Sequence, residues 1–104
     1  MLFEPDQLVI PKEKILRYLL IKKDKNDKSG FLAALGFTAE NYTELIDEIK
    51  VVASSNEAIL TRSSPFGNLY KVEGMLKESL VVTIWIEQVE YNKFRFVTLY
   101  PGKT

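Results

Sequence analysis

The change of periodicity at Ser54-Ser55-Asn56 constrains this chain more than any other feature. Before it, apolar residues recur at helical spacing; after it, β-branched and aromatic residues dominate at strand spacing. Helices gathered first and strands gathered last, rather than alternating, describe an α+β protein.

Three helices are expected in the first half. Pro11 suits a first helical position because its missing N–H would be unpaired there, and Ile15, Leu16, Tyr18, Leu19 and Leu20 follow at helical spacing, to about Ile21. A polar connector starts at Lys22, and Asp27 is placed to cap a short second helix carrying Phe31, Leu32 and Leu35. Gly36 ends that helix, with Phe37 positioned to touch Leu32 in a Schellman arrangement. Thr38 then caps a third helix whose apolar stripe is Tyr42, Leu45, Ile46, Ile49, Val52 and Ala53.

The second half predicts strands near Ala58 to Arg62, Leu69 to Met75, Leu80 to Glu87 and Phe94 to Tyr100. The turn signals between them, Ser64 to Asn68, Lys77 to Ser79 and Tyr91 to Lys93, are short enough to make neighbours antiparallel. The expected architecture is three N-terminal helices followed by a four-stranded antiparallel sheet. In the third strand the uniform row Leu80, Val82, Ile84 and Ile86 is expected under the helices, with Val81, Thr83, Trp85 and Glu87 on a more polar face. Both alternations of the last strand are partly apolar, so period alone leaves its orientation open.

A chain of 104 residues, 46% hydrophobic and 27% charged, is expected to fold as one domain, 1–104. Without cysteine it offers no disulfide framework and no thiolate metal site, which suits a reducing compartment. The opening residues lack a basic region followed by an apolar run, and no stretch reaches spanning length, so the cytoplasm is the expected location and no membrane is expected. Fourteen basic and fourteen acidic residues cancel, so nucleic acid would have to be bound by a local patch. The densest patch, Lys22 to Lys28, reads first as a solvated connector.

The absence of histidine removes the usual imidazole base and the commonest transition-metal ligand. Asp24 to Gly30 has the look of a calcium loop, but Lys28 falls at the fifth position and Leu35 at the twelfth, where ligands are needed. The five glycines form no phosphate-binding pattern, so neither a metal nor a cofactor is expected. Glu44, Asp47 and Glu48 lie on the polar side of the third helix and read as solvation. Catalysis by Lys, Arg, Tyr, Thr and Glu remains, and it suffices for RNA cleavage, in which the 2′-OH supplies the nucleophile.

Four segments carry a resemblance. Ile10 to Leu20, then Lys28-Ser29-Gly30-Phe31 running into Leu35-Gly36-Phe37, then Gly67 to Gly74, and finally Thr83 to Ile86 with Arg95 to Pro101, resemble an uncharacterised bacterial family. Its members are small stand-alone proteins or C-terminal tips of polymorphic toxins, and its order of elements is similar to the barnase, EndoU, colicin and RelE group of ribonuclease folds. The chain departs from the family pattern in two places. The connector before Lys28 lacks a His-Pro-like element, and the turn at Lys77-Glu78-Ser79 is shorter than a glycine-containing loop.

The resemblance implies Lys28, Arg95, Thr98 and Tyr100 as a catalytic, phosphate-facing cluster, Arg95 giving a planar fork and Lys28 a point charge. Each also has an ordinary structural explanation: solvation for Lys28, a cross-strand ion pair for Arg95, β-propensity for Thr98 and core closure for Tyr100. Trp85 is a candidate base-stacking platform and Glu87 a candidate general base. Two readings stand. One is a toxin-type, metal-independent ribonuclease acting on RNA and neutralised by a partner protein. The other is a non-catalytic interaction module, the antitoxin or immunity side of a pair, binding a cognate partner through an exposed sheet face or edge. The sequence leaves the oligomeric state open.

Overall fold

The computed structural model describes residues 1–22 and 28–103. The five-residue connector 23–27, with the expected cap from Asp27, most of the lysine-rich patch and most of the calcium-like segment, lies outside the described residues.

The chain is α+β, but the expected layout of three helices and a four-stranded antiparallel sheet is corrected to one long helix and a five-stranded mixed sheet. The strands are β1 (Leu8–Val9), β2 (Ala58–Ser64), β3 (Gly67–Leu76), β4 (Ser79–Gln88) and β5 (Lys93–Pro101), in the spatial order β1-β5-β4-β3-β2. β2 through β5 form antiparallel neighbours, as their short turns require, and each predicted strand lies inside its observed one. The added strand, β1, pairs parallel to β5, with Leu8 opposite Phe94 and Val9 opposite Arg95. Two residues are too few to display a period of two, which is why the pattern did not reveal it.

The parallel pairing follows from the path of the first residues. The Met1 carbonyl accepts a hydrogen bond from the Ala58 N–H at 2.8 Å, tying the start of the chain to β2 at one edge of the sheet. The chain then crosses the sheet to reach β5 near the opposite edge. On the way Phe3 stacks on Phe94, with ring centroids 4.0 Å apart, and meets Tyr70 and Trp85 edge-on.

The expected helix from Pro11 to Ile21 is reduced to a three-residue α-turn, α1 (Lys12–Lys14), running into a π-turn over Ile15–Leu19. Pro11 stays extended and stands just before the helix rather than in it. So short a segment is held by tertiary packing rather than propensity, and only Ile15 and Leu19 within it are buried. The second helix is α2 (Ser29–Ala34), and its ending is as expected. Gly36 adopts φ 94°, its N–H reaches the Ala33 carbonyl, and the Phe37 N–H reaches that of Leu32, both at 2.9 Å. Only α3 (Tyr42–Ser55) is long. Its start is fixed by Asn41, whose Oδ1 accepts the Thr38 N–H at 2.8 Å, and its expected stripe is the one that meets the core.

α3 packs on β3, and Gly74 permits the approach. A Cβ there would stand 3.0 Å from Val52 Cγ1 and closer still to the Asn56 side chain at the end of α3. Register then defines the covered face of the sheet as Tyr70, Val72, Gly74 and Leu76 on β3 with Val81, Thr83 and Trp85 on β4. The expected orientation of β4 is therefore reversed. Trp85 and Thr83 are fully buried under the helical layer, while Leu80, Val82, Ile84 and Ile86 face the other way.

Candidate site on the uncovered sheet face

The orientation of β5, which alternation could not decide, is set by a β-bulge. Ile84 pairs with Thr98 and Trp85 with Phe96, so Val97 is an extra residue. The bulge shifts the alternation by one, so Phe94, Phe96 and Leu99 all point into the core. The same shift places Arg95 beside Ile86, Thr98 beside Ile84 and Tyr100 beside Val82 on the outer face. Three of the four expected site residues are thus brought together by an irregularity that a strict period of two could not contain.

The fourth is not among them. Lys28 belongs to the helical layer, where its ammonium lies 5.5 Å from the centre of the Tyr18 ring, and Tyr18 packs against the core on the other side of the sheet. The remaining three do not form a polar cluster. Thr98 Oγ1 is buried without a hydrogen-bond partner, Arg95 has no ion pair among the described residues, and Tyr100 is exposed. The cross-strand ion pair expected as the ordinary explanation of Arg95 is therefore absent among the described residues. Among the described residues, the one ion pair on this face joins Lys71 to Glu73 at 3.2 Å, within β3.

Trp85, considered as a stacking platform, has no exposed surface. Its indole N–H donates to Thr83 Oγ1 at 2.9 Å, and that hydroxyl donates to the Val72 carbonyl at 3.0 Å. Glu87 stands at the end of β4 and accepts a hydrogen bond from the Asn68 side chain at 3.1 Å.

What dominates the outer face is apolar. Leu80, Val82, Ile84 and Ile86 run along its middle strand, flanked by Leu69 and Met75 on β3, Ile59 on β2 and Tyr100 on β5. Met75, Ile59 and Tyr100 are exposed, Leu80, Ile84 and Ile86 are half-buried, and none of the row belongs to the hydrophobic cluster beneath the helices. Val82, between Glu73 and Tyr100 in register, is buried but lies outside the hydrophobic cluster beneath the helices. The sequence did carry a sign of this surface. Leu80 to Ile86 is apolar in six of seven positions, a pattern of strands covered on both faces.

Fold and face together define a small α+β protein in which, among the described residues, the helices pack on one side of the sheet. The chain belongs to a family described as a domain of unknown function, DUF6883, whose sequence pattern matches residues 1–103. No curated protein and no solved structure matches the chain. Among the described residues, no helix is long and apolar enough to cross a membrane.

Proposed function

We propose that this chain is a non-catalytic interaction module that binds a cognate partner protein with the outer face of its sheet. One observation carries the reading: β4 is apolar on both faces, yet among the described residues only one of them joins the hydrophobic cluster beneath the helices. A strand of that composition gains from burial on each side, at roughly 25 cal/mol for every Å² of apolar surface removed from water. The partner it calls for presents a flat apolar surface edged with negative charge, because the register sets Lys71, Arg95 and Arg62 against Glu73 on this face. The antitoxin or immunity side of a pair is a role of this kind, and a cysteine-free chain suits the cytoplasm.

The test uses the full chain and a Met75→Glu, Ile84→Thr variant. Capture from the native host of one stoichiometric partner, which protects β4 amides from hydrogen exchange and is lost with the variant, is the expected result. A partner retained equally by both proteins, or a monomer that captures no stoichiometric partner, would sink the reading. A concentration-dependent dimer of the wild type alone would assign the face to a second copy.

The second reading, a toxin-type ribonuclease opposed by a neutralising protein, draws its support from the bulge that gathers Arg95, Thr98 and Tyr100 on one face. It has less in its favour, because the cation assigned to work with Arg95, Lys28, stands in the other layer and the Thr98 hydroxyl is buried. RNA left intact by the purified protein, with no growth arrest on expression, would remove it.

A further inference from the structure

The outer face carries its charge unevenly. Arg62, Leu69, Ile86 and Arg95 share one register line across β2, β3, β4 and β5, so an arginine stands on each flank of the apolar row at its Ile86 end. Both arginines are exposed and neither has a salt bridge among the described residues, whereas Lys71 and Glu73, further along the row, neutralise each other. On the next line Lys93 stands beside Gln88, and its ammonium reaches the Asp6 carbonyl at 2.6 Å. These two lines hold no carboxylate. Glu87 alternates with Trp85 toward the covered face and bonds to Asn68, while Asp6 and Glu90 lie beyond the end of the row and form no salt bridge with the three cations among the described residues.

The two arginines are aimed by bulges. Strict alternation from Ala58 and Leu60 would turn Arg62 toward the covered face. The extra residue Thr61 turns it outward instead, and the Thr61 hydroxyl holds that irregularity by donating to the Leu69 carbonyl at 3.2 Å. Val97 does the same in β5, bringing Arg95 to the face that Thr98 and Tyr100 occupy. Three strand spacings separate β2 from β5, so the two stems rise about 14 Å apart with Leu69 and Ile86 between them.

We infer that the outer face receives one amphipathic helix of a partner protein, which runs along β4 and carries a carboxylate on each flank of its apolar stripe, one for Arg62 and one for Arg95. The charge follows from complementarity with two exposed guanidinium groups. The form follows from hydrogen bonding. β4 is paired on both sides, so its face offers side chains and no open backbone. An extended segment laid there would bury its own N–H and C=O groups unpaired, whereas a helix pairs its own. A second sheet would bury both arginines, while a single helix, about 10–12 Å across, fits between them. The row from Leu80 to Ile86 is about 20 Å long, which matches roughly 13 helical residues. The inference rests on the reading of the chain as an interaction module and names the form and charge of the partner.

The experiment is an amide NMR titration of the full chain with the capped peptide acetyl-Glu-Leu-Glu-Gln-Ile-Leu-Gln-Ala-Leu-Ala-Gln-Ala-Leu-Lys-amide, whose first-turn glutamates flank a helical apolar stripe. Counterparts carry Gln or Lys at both glutamate positions. The expected result is saturable shifts at Arg62, Leu69, Ile84, Ile86 and Arg95, transferred NOEs of a helical bound peptide, and binding about fivefold tighter for the Glu peptide than for the Gln peptide, with the Lys peptide weakest. The advantage of Glu over Gln should vanish in an Arg62→Gln, Arg95→Gln variant, which alters two exposed side chains and should still bind the peptides through the apolar row. Equal binding of the Glu and Gln peptides, an extended bound peptide, or no shift with any peptide would overturn the inference, and saturation of the same amides by decauridylate instead would assign the arginines to RNA. Each of these outcomes leaves the outer-face reading in place; that reading fails only by its own capture test.

Discussion

Thr83 and Thr98 occupy adjacent strands, one register step apart, and their surroundings are opposite. Thr83 has no exposed surface and uses its hydroxyl twice, accepting from Trp85 and donating to the Val72 carbonyl. Thr98, on the other face, buries its hydroxyl and uses it for nothing among the described residues. The inner face is a finished core in which even its polar atoms are paired, whereas the outer face has similar apolar side chains and an unpaired hydroxyl. What separates the faces is the presence of a cover. Substitutions on the two sides should therefore differ in size and even in sign.

The largest effect is expected at the centre of the inner face. Trp85→Ala removes a fully buried ring that meets Phe3 and Phe96 edge-on, and leaves Thr83 without its donor. A loss of about 3–5 kcal/mol is expected in denaturant unfolding. A loss under about 1 kcal/mol would mean that the inner face is not the packed side. Thr83→Val comes next, because it strands the Trp85 N–H in a dry core at a cost of about 1–3 kcal/mol. Its unfolding curve measures how much of the difference between the faces is polar pairing rather than packing. On the outer face the Met75→Glu, Ile84→Thr variant is expected to stay within about 1.5 kcal/mol of wild type, since Met75 is exposed and Thr keeps a β-branched side chain in the strand. A larger loss would show that this face already contributes to the core.

The same contrast explains what could be read from the sequence. Turn residues and β-branched runs located β2 to β5 within two residues, and Gly36 announced its own conformation, because these signals are local. The direction of β4 was not local. A uniform row of Leu80, Val82, Ile84 and Ile86 looks more like a core than Val81, Thr83 and Trp85 do, until the indole N–H is seen to find its partner at Thr83. The Val97 bulge defeated strict alternation in β5, and with it any sequence argument for grouping Arg95 with Thr98 and Tyr100. Lys28 entered that group through resemblance alone, and the fold assigns it to the helical layer beside Tyr18. The level placing of Arg62 and Arg95 depends on bulges in two separate strands, which alternation in neither strand encodes.

The smallest effect is the one with the unusual sign. An unpaired hydroxyl buried against Ile84 costs desolvation and returns nothing, so Thr98→Val, which exchanges it for a methyl of similar shape, should leave the protein as stable or up to about 1 kcal/mol more so. The contrast with Thr83→Val is then between the same chemical change in neighbouring strands, harmful where the hydroxyl is used and harmless where it is not. The variant also separates the two functional readings. A ribonuclease that relied on the Thr98 hydroxyl would lose RNA cleavage while gaining stability, whereas a binding face would keep its partner. A destabilisation above about 1 kcal/mol would mean that the hydroxyl has an acceptor in solution, and the outer face would then be more complete than its pairing indicates.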